Sequence, residues 1–151
     1  MKQYVLLGGV AAVLVSGIAG CSGMGSATKA LSAYEQLGGS QNLSNISSGF
    51  VNSSLKDPRL SALTAGKSID PTAASGKVSN QLCSMLGGGC TAPMTDSQLS
   101  TAASKLTPSQ SQAISENFSS SLKSIVSDPK VQQLVTSSLG SKLPGVLGGV
   151  L

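Results

Sequence analysis

The stretch TPSQSQAISENFSSSLKSIVSDP, residues 107–129, decides the fold class, because it holds one complete helix between two helix-start signals. Thr107-Pro108 is typical of a helix start, since threonine can cap the first turn and proline is tolerated within it. Helical spacing then places the apolar residues of the stretch on one face: Ile114, Phe118, Leu122, Ile125 and Val126. Asp128-Pro129 opens a further helix in the same way. The stretch therefore predicts amphipathic helices joined by short connections.

The same pattern extends towards the N-terminus. Ser40 can cap a helix whose apolar residues again follow helical spacing: Leu43, Ile46, Phe50, Val51 and Leu55. Asp57-Pro58 ends this helix, Asp70-Pro71 starts the next, and Gly87-Gly88-Gly89 stops that one. Asp96 can cap a weaker helix before the stretch quoted above. Because two-residue alternation is scarce, we predict an all-α domain with five or six helices and almost no sheet.

The composition permits one small domain whose core is built from small side chains. The chain has 151 residues, of which 3% are aromatic and 11% charged, and it contains no Trp and no His. The absence of His excludes Ser-His-Asp hydrolysis, His-ligated zinc and His-ligated haem. The basic residues are scattered singly through a chain of formal net charge +4, so we expect no nucleic-acid partner.

Residues 1–20 have the composition of an export signal. Lys2 precedes an apolar stretch that is too short for a comfortable transmembrane helix. Ile18-Ala19-Gly20-Cys21 resembles the lipobox of bacterial lipoproteins. The resemblance implies cleavage before Cys21 and attachment of acyl chains such as palmitate to this cysteine, which together suffice for stable membrane anchoring. An ordinary cleaved secretory signal, followed by a chance cysteine, is the alternative.

The resemblance to lipoproteins also implies a location and a domain order. Ser22, rather than Asp, follows the lipidated cysteine, which in such proteins implies the outer membrane, with the domain facing the periplasm. Residues 21–30 form the lipidated cysteine and a Gly/Ser tether, and residues 31–139 form the helical domain. Residues 140–151 form an irregular apolar tail, which either contacts a partner or folds back over the domain's own core. We expect the domain to stay folded without Pro144–Leu151.

Three segments, in this order, resemble the group I truncated haemoglobins. Tyr34-Glu35-Gln36-Leu37-Gly38-Gly39 matches the Tyr-x-x-Leu-Gly-Gly segment that opens the family. The segment from Phe50 to Leu60 matches a helix that ends in Asp-Pro-Arg-Leu. The segment from Gln81 to Cys90 matches a distal helix that ends in Leu-Cys-x-x-Leu-Gly-Gly-Pro-Cys or a close variant. The resemblance covers about residues 31–126 and implies a two-over-two helical sandwich around haem, for oxygen or nitric oxide chemistry.

Two positions that the resemblance assigns to haem chemistry hold other residues. The family has an aromatic pair whose second member, commonly Tyr, donates to the bound ligand; the pair here is Phe50-Val51, and valine cannot donate. Met94 matches the family's Met, but the iron-ligand position four residues later holds Gln98, a poor ligand beside imidazole. We therefore expect no cofactor. The alternatives are haem contacted by Phe50, Met94 and Gln98 with a non-His ligand, Met94 or Cys90, and a small apolar ligand in the emptied pocket.

Cys83 and Cys90 lie on either side of the triple-glycine turn. After export and lipidation of Cys21, they are the two remaining thiols in an oxidising compartment, which favours a disulfide that clamps the turn. A cysteine ligand to iron is the alternative. Two cysteines are too few for a structural zinc site, so we expect no metal.

These observations favour a protein without catalytic residues. No two carboxylates share a helical face for acid–base chemistry, and three of them precede prolines, where they cap helices. We expect a lipid-anchored envelope protein with a structural or interaction role rather than an enzyme. Its expected partners are the membrane, through the lipid anchor, and a protein of the envelope.

Overall fold

Helices account for the regular structure of residues 31–151, the part of the chain that the computed structural model describes. In chain order these are α1 (Ala33–Leu37), α2 (Gly39–Lys56), α3 (Ser61–Thr64), α4 (Pro71–Met85), α5 (Asp96–Ser104), α6 (Pro108–Ile125), α7 (Pro129–Leu139) and α8 (Leu143–Val150). Two 3-10 turns lie at Pro58–Leu60 and Gly140–Lys142, and no strand occurs among the described residues. The predicted all-α domain is confirmed, and its compact helical fold is consistent with a globin-like architecture. The predicted signal (1–20), Cys21 and the tether (21–30) lie outside the described residues.

Helix starts follow the predicted capping signals at three places. The side chains of Asp70, Thr107 and Asp128 each accept hydrogen bonds from backbone N–H groups of the first turn, and proline follows each of them. Such caps satisfy N–H groups that a helix cannot pair internally. They matter in this chain because the Ser, Thr and Asn residues of its helices have low helix propensity.

The predicted cap at Ser40 is wrong. Helix α2 begins at Gly39, directly after Gly38, so Ser40 lies inside its first turn. The backbone at Gly38 and Gly39 is left-handed, with φ of +99° and +75°, and this geometry turns the chain sharply from α1 into α2. The side chain of Asn42 closes the turn by donating to the carbonyl oxygen of Leu37 at 2.9 Å.

The predicted cap at Asp96 is also wrong. Helix α5 is capped by Thr95, which forms a capping box with Gln98 and so satisfies two backbone N–H groups reciprocally. Asp96 becomes the first helical residue, and its carboxylate pairs with the ammonium group of Lys142 at 2.8 Å. This ion pair joins α5 to the turn that precedes α8.

The core forms around α2, which packs against α4 and α6. Phe50 of α2 and Phe118 of α6 are buried and meet edge to face, with ring centroids 5.4 Å apart and ring planes at 86°. Other large side chains that are fully buried are aliphatic: Leu43, Ile46, Val51, Leu60, Leu82, Leu99, Ile114, Leu122, Leu139 and Leu147. Residues 31–151 form one compact unit that contains this whole core, so we expect this unit to fold without residues 1–30.

The expectation of an irregular tail at residues 140–151 is wrong. After the 3-10 turn, the tail forms helix α8, whose Leu143, Val146 and Leu147 are buried in the common core. Pro144 lies in the first turn, where a proline removes no helical hydrogen bond. Apolar burial there outweighs the low helix propensity of the glycines. The tail therefore folds back onto its own domain, and the expectation that the domain stays folded without Pro144–Leu151 loses its basis.

Glycines bring α8 into close contact with α5. A Cβ atom on Gly145 would overlap the backbone carbonyl oxygen of Leu99, and one on Gly149 would overlap the sulfur of Met94. A flexible methionine side chain can move aside, whereas the carbonyl group of a packed helix cannot do so without shifting the helix. Gly145 therefore fixes the distance between α8 and α5.

We predict opposite effects for two glycine-to-alanine substitutions within helices. Gly145→Ala should lower the free energy of unfolding by on the order of 1–3 kcal/mol, because it forces α8 away from α5. Gly76→Ala, in the exposed middle of α4 where an added methyl group meets nothing within 4 Å, should raise it by about 0.5–1 kcal/mol. Urea unfolding of residues 22–151 measures both. Equal effects of the two substitutions would contradict the close packing of α8.

Candidate functional site

The aromatic pair of the resemblance lies in the packed core. Phe50 contacts Phe118 edge to face, and the neighbouring Val51 is 0% exposed. Both side chains serve the packing of α2 against its neighbouring helices. No polar group is available at Val51, as the sequence predicted, so no hydrogen-bond donor replaces the family's Tyr at this position.

Gln98, at the position of the family's iron ligand, belongs to a helix cap. Its side-chain oxygen accepts a hydrogen bond from the backbone N–H of Thr95 at 2.8 Å, and its own N–H donates to the Thr95 hydroxyl at 3.3 Å. The residue is exposed at the N-terminus of α5. The side chain is therefore occupied with local helix structure and does not enter the core.

Met94 lies immediately before that cap and is half-buried. Its backbone N–H donates at 2.9 Å to the side-chain oxygen of Gln81, which is 2% exposed and belongs to α4. Its sulfur lies against Gly149 of α8. Met94 thus links the segment before α5 to two other helices, through one hydrogen bond and one packing contact.

These three residues do not fit a haem site. The structure brings Met94 and Gln98 to one end of α5, but it leaves Phe50 in the interface between α2 and α6. An iron ligand must direct a free donor atom into a buried pocket, whereas Gln98 is exposed and uses its oxygen in the cap. Four surface depressions of residues 31–151 have walls that include none of Phe50, Met94 and Gln98.

The predicted disulfide between Cys83 and Cys90 is confirmed. The two cysteines are bonded, with Cα atoms 5.7 Å apart, and the bond closes the triple-glycine turn after α4. Cys83 is 3% exposed and belongs to the hydrophobic core, whereas Cys90 is half-buried. Neither sulfur is a free thiolate in this state, so neither is available as a metal ligand.

A charged cluster that sequence reasoning missed connects the end of α2 to α6. The guanidinium group of Arg59 pairs with Asp57 at 2.9 Å and with Glu116 at 2.8 Å, and Asn117 donates to Asp57 at 3.1 Å. Asp57 also accepts from the backbone N–H of Arg59, so it caps the 3-10 turn as well. The local half of this cluster follows from Asp57-Pro58-Arg59. The other half, 57 residues further along the chain, has no local signal.

The cluster shifts the acidity of its members. Hydrogen bonds from the Arg59 side chain lower the pKa of Asp57 to about 2, against the opposing effect of partial burial, and the Arg59 N–H and Asn117 act in the same direction. Arg59 also lowers the pKa of Glu116, to which Gln112 donates a second hydrogen bond. All of these shifts favour the charged forms. The cluster therefore suits a structural clamp better than proton transfer near neutral pH.

Neither a metal cluster nor a membrane-spanning helix occurs in the described part of the chain. No three His, Cys, Asp or Glu side chains of residues 31–151 lie close enough together to hold a metal ion. None of the helices from α1 to α8 has both the length and the apolar character needed to cross a bilayer.

Comparison with known proteins assigns no family to this chain. No protein-family model matches the sequence, and no curated protein matches it at a significant level.

We predict that Asp57 stabilises the fold in a pH-dependent way. Because its pKa is lowered in the folded state, its contribution is complete above about pH 4 and is lost as the pH falls towards 2. In Asp57→Asn, the free energy of unfolding should therefore fall less steeply between pH 4 and pH 2 than in the unsubstituted chain. Urea unfolding across this range measures the slope.

Asp128→Asn is the matched control for this prediction. Asp128 caps α7 through the N–H of Lys130 and forms no ion pair in the described residues, so this variant removes a capping carboxylate without changing the Arg59 cluster. If both variants changed the slope equally, the Arg59 cluster would not be its source.

Proposed function

We propose that this protein is an outer-membrane lipoprotein, anchored through acyl chains on Cys21 and facing the periplasm, with a truncated-globin-like domain that has lost haem ligation. Its role is structural or interactive, without enzymatic activity. The domain requires no cofactor, and its partners are the membrane, through the anchor, and a protein of the envelope. The lipobox Ile18-Ala19-Gly20-Cys21 supports the anchor, and the three segments quoted above support the relationship to globins.

The observation that best supports the proposed loss of haem ligation is the hydrogen bond of the Gln98 side chain. Gln98 stands at the position that the resemblance assigns to the iron ligand. Its side-chain oxygen instead accepts a hydrogen bond from the Thr95 N–H at 2.8 Å, and the residue is exposed. This capping role needs no ligand, because the capping box of Thr95 and Gln98 satisfies N–H groups at the start of α5. The Phe50–Phe118 contact adds support, since the side chain at the family's aromatic position packs against another residue of the domain.

One surface open to a protein partner is polar and uncharged. Burial of α8 removes the apolar C-terminal segment as a candidate contact. An open groove of about 480 Å³ between α2 and α4 remains, lined by hydroxyl, amide and small groups: Ser44, Ser48, Asn52, Pro71, Thr72, Ser75 and Gly76. Polar faces of this kind are typical of exchangeable protein contacts rather than of permanent apolar interfaces.

The proposed anchor is tested by changing Cys21 in the full chain expressed in a bacterial host. Cys21→Ser should move the protein out of the membrane fraction, because it removes the atom that carries the lipid. Ser26→Ala, five residues further on, is the control and should leave the protein in that fraction. Mass spectrometry should show an acylated N-terminal peptide beginning at Cys21. An unmodified peptide beginning at this residue would refute the anchor.

The proposed loss of haem ligation is tested by titrating residues 22–151 with hemin. We expect a visible spectrum identical to that of hemin with a carrier protein that has no haem site, because neither Gln98 nor the disulfide-bonded Cys90 offers a ligand. A saturable Soret shift with equimolar hemin would overturn this proposal. If that shift were lost in Met94→Leu and kept in the matched variant Met85→Leu, Met94 would be the ligand.

A further inference from the structure

The turn that follows α4 forms a seat for the N-terminal end of α1. The backbone N–H of Tyr34 donates to the carbonyl oxygen of Leu86 at 3.0 Å. A Cβ atom on Gly87 would lie 3.3 Å from the Cβ of Ser32, so the residue that caps α1 also touches this turn. We call residues 86–88 the α1 seat. The start of the folded domain is thereby attached to the region that the disulfide closes.

Gly88 lies between the disulfide and the ring of Tyr34. A Cβ atom at this position would be 2.5 Å from the sulfur of Cys83 and 2.8 Å from two carbons of the Tyr34 ring. Both distances are far below van der Waals contact, so the backbone of Gly88 fills the space between sulfur and ring. A displacement of the sulfur or of this backbone therefore changes the contact with Tyr34.

The disulfide holds the α1 seat in one conformation. Gly87 and Gly89 are left-handed, with φ of +85° and +72°, and three consecutive glycines have wide conformational freedom. The bond from Cys83 to Cys90 closes a ring of sequence separation 7 around them. Within this ring, the N–H of Gly88 donates to the carbonyl oxygen of Cys83 at 2.8 Å. Opening the ring restores much of the freedom that the bond removes.

We propose that the Cys83–Cys90 disulfide is a site of reversible reduction by a dithiol, and that reduction releases the N-terminal end of α1 from its seat. Leu37, at the other end of α1, is 2% exposed and lies within the core, whereas Ala33 and Tyr34 are only half-buried against it, so the release is confined to residues 31–35. The remainder of the domain keeps its own core and stays folded.

The reaction is a thiol–disulfide exchange that begins at Cys90. Cys90 is half-buried beside the exposed Gly89 and Thr91, whereas Cys83 is 3% exposed. A thiolate of the reductant attacks the Cys90 sulfur, the Cys83–Cys90 bond breaks, and the Cys83 thiolate leaves and takes up a proton. The second thiol of the reductant then loses its proton, attacks the mixed disulfide and releases Cys90. The reductant ends as a disulfide, and the protein gains two thiols.

Release would lengthen the connection between the domain and the membrane. Residues 31–35, when extended, span up to roughly 17 Å at about 3.4 Å per residue. This consequence rests on the proposed lipid anchor at Cys21, whereas the release itself does not. The experiment below uses residues 22–151 without lipid, so its failure is distinguishable from failure of the anchor.

The experiment measures amide hydrogen exchange of Tyr34 by NMR, with dithiothreitol as the reductant. In the disulfide form, the Tyr34 amide should be protected by its bond to Leu86. After reduction, it should exchange about tenfold faster or more, while the amides of Ile114 and Leu122 in α6 keep their protection. The Cys83→Ser/Cys90→Ser variant should exchange like the reduced protein and should not respond to dithiothreitol.

Gly88→Ala tests the same coupling without reduction. Its methyl group would collide with the Tyr34 ring, so the Tyr34 amide should lose protection while the disulfide remains intact. Gly76→Ala, in α4, adds a methyl group that meets nothing within 4 Å and replaces a glycine without positive φ, so this control variant should retain the protection. The proposal is overturned if free thiols form while Tyr34 stays protected, or if reduction also removes the protection of α6.

Discussion

The close approach of Gly145 to the carbonyl oxygen of Leu99 sets how closely α8 lies on α5, and with it the burial of the α8 side chains in the core. With two Phe and no Trp, the chain lacks the large side chains that fill wide gaps between helices. Gly49 likewise allows α2 to lie close to α6, since a Cβ atom at this position would be 3.3 Å from the hydroxyl of Ser121. Short distances between helices thus give the packing density that larger residues would otherwise provide.

Small polar residues make these approaches possible but weaken the helices themselves. Ser47 and Ser54 are buried in α2, and their hydroxyl groups find no hydrogen-bond partner among the described residues, which opposes folding. Ser and Gly also lower helix propensity. Side-chain caps offset part of this deficit, because Ser32, Asp70, Thr95, Thr107 and Asp128 each satisfy backbone N–H groups at a helix start. The fold therefore combines strong helix ends with helix interiors that depend on packing.

The features that the sequence predicted correctly are the local ones. The starts of α4, α6 and α7 follow from Asp70, Thr107 and Asp128, since a cap and its proline are adjacent in the chain, and the disulfide follows from two cysteines around one turn. The sequence did not predict helix α8, because its glycines and Pro144 favour irregular structure. The packing against α5 that stabilises this helix is not a local feature of the sequence. The pairing of Arg59 with Glu116 was missed for the same reason, as it joins residues 57 positions apart.

The three segments that carry the globin resemblance make contacts within the domain, and these contacts form without a ligand. Tyr34 of the first segment hydrogen-bonds to Leu86 of the third, Asp57 and Arg59 of the second attach α2 to α6, and Gln81 of the third holds the N–H of Met94. The positions that would act on haem, Val51 and Gln98, have instead a packing role and a capping role. The two positions that the resemblance assigns to haem thus serve the scaffold itself. Under the proposed relationship to globins, this domain has lost iron ligation and kept the contacts named here.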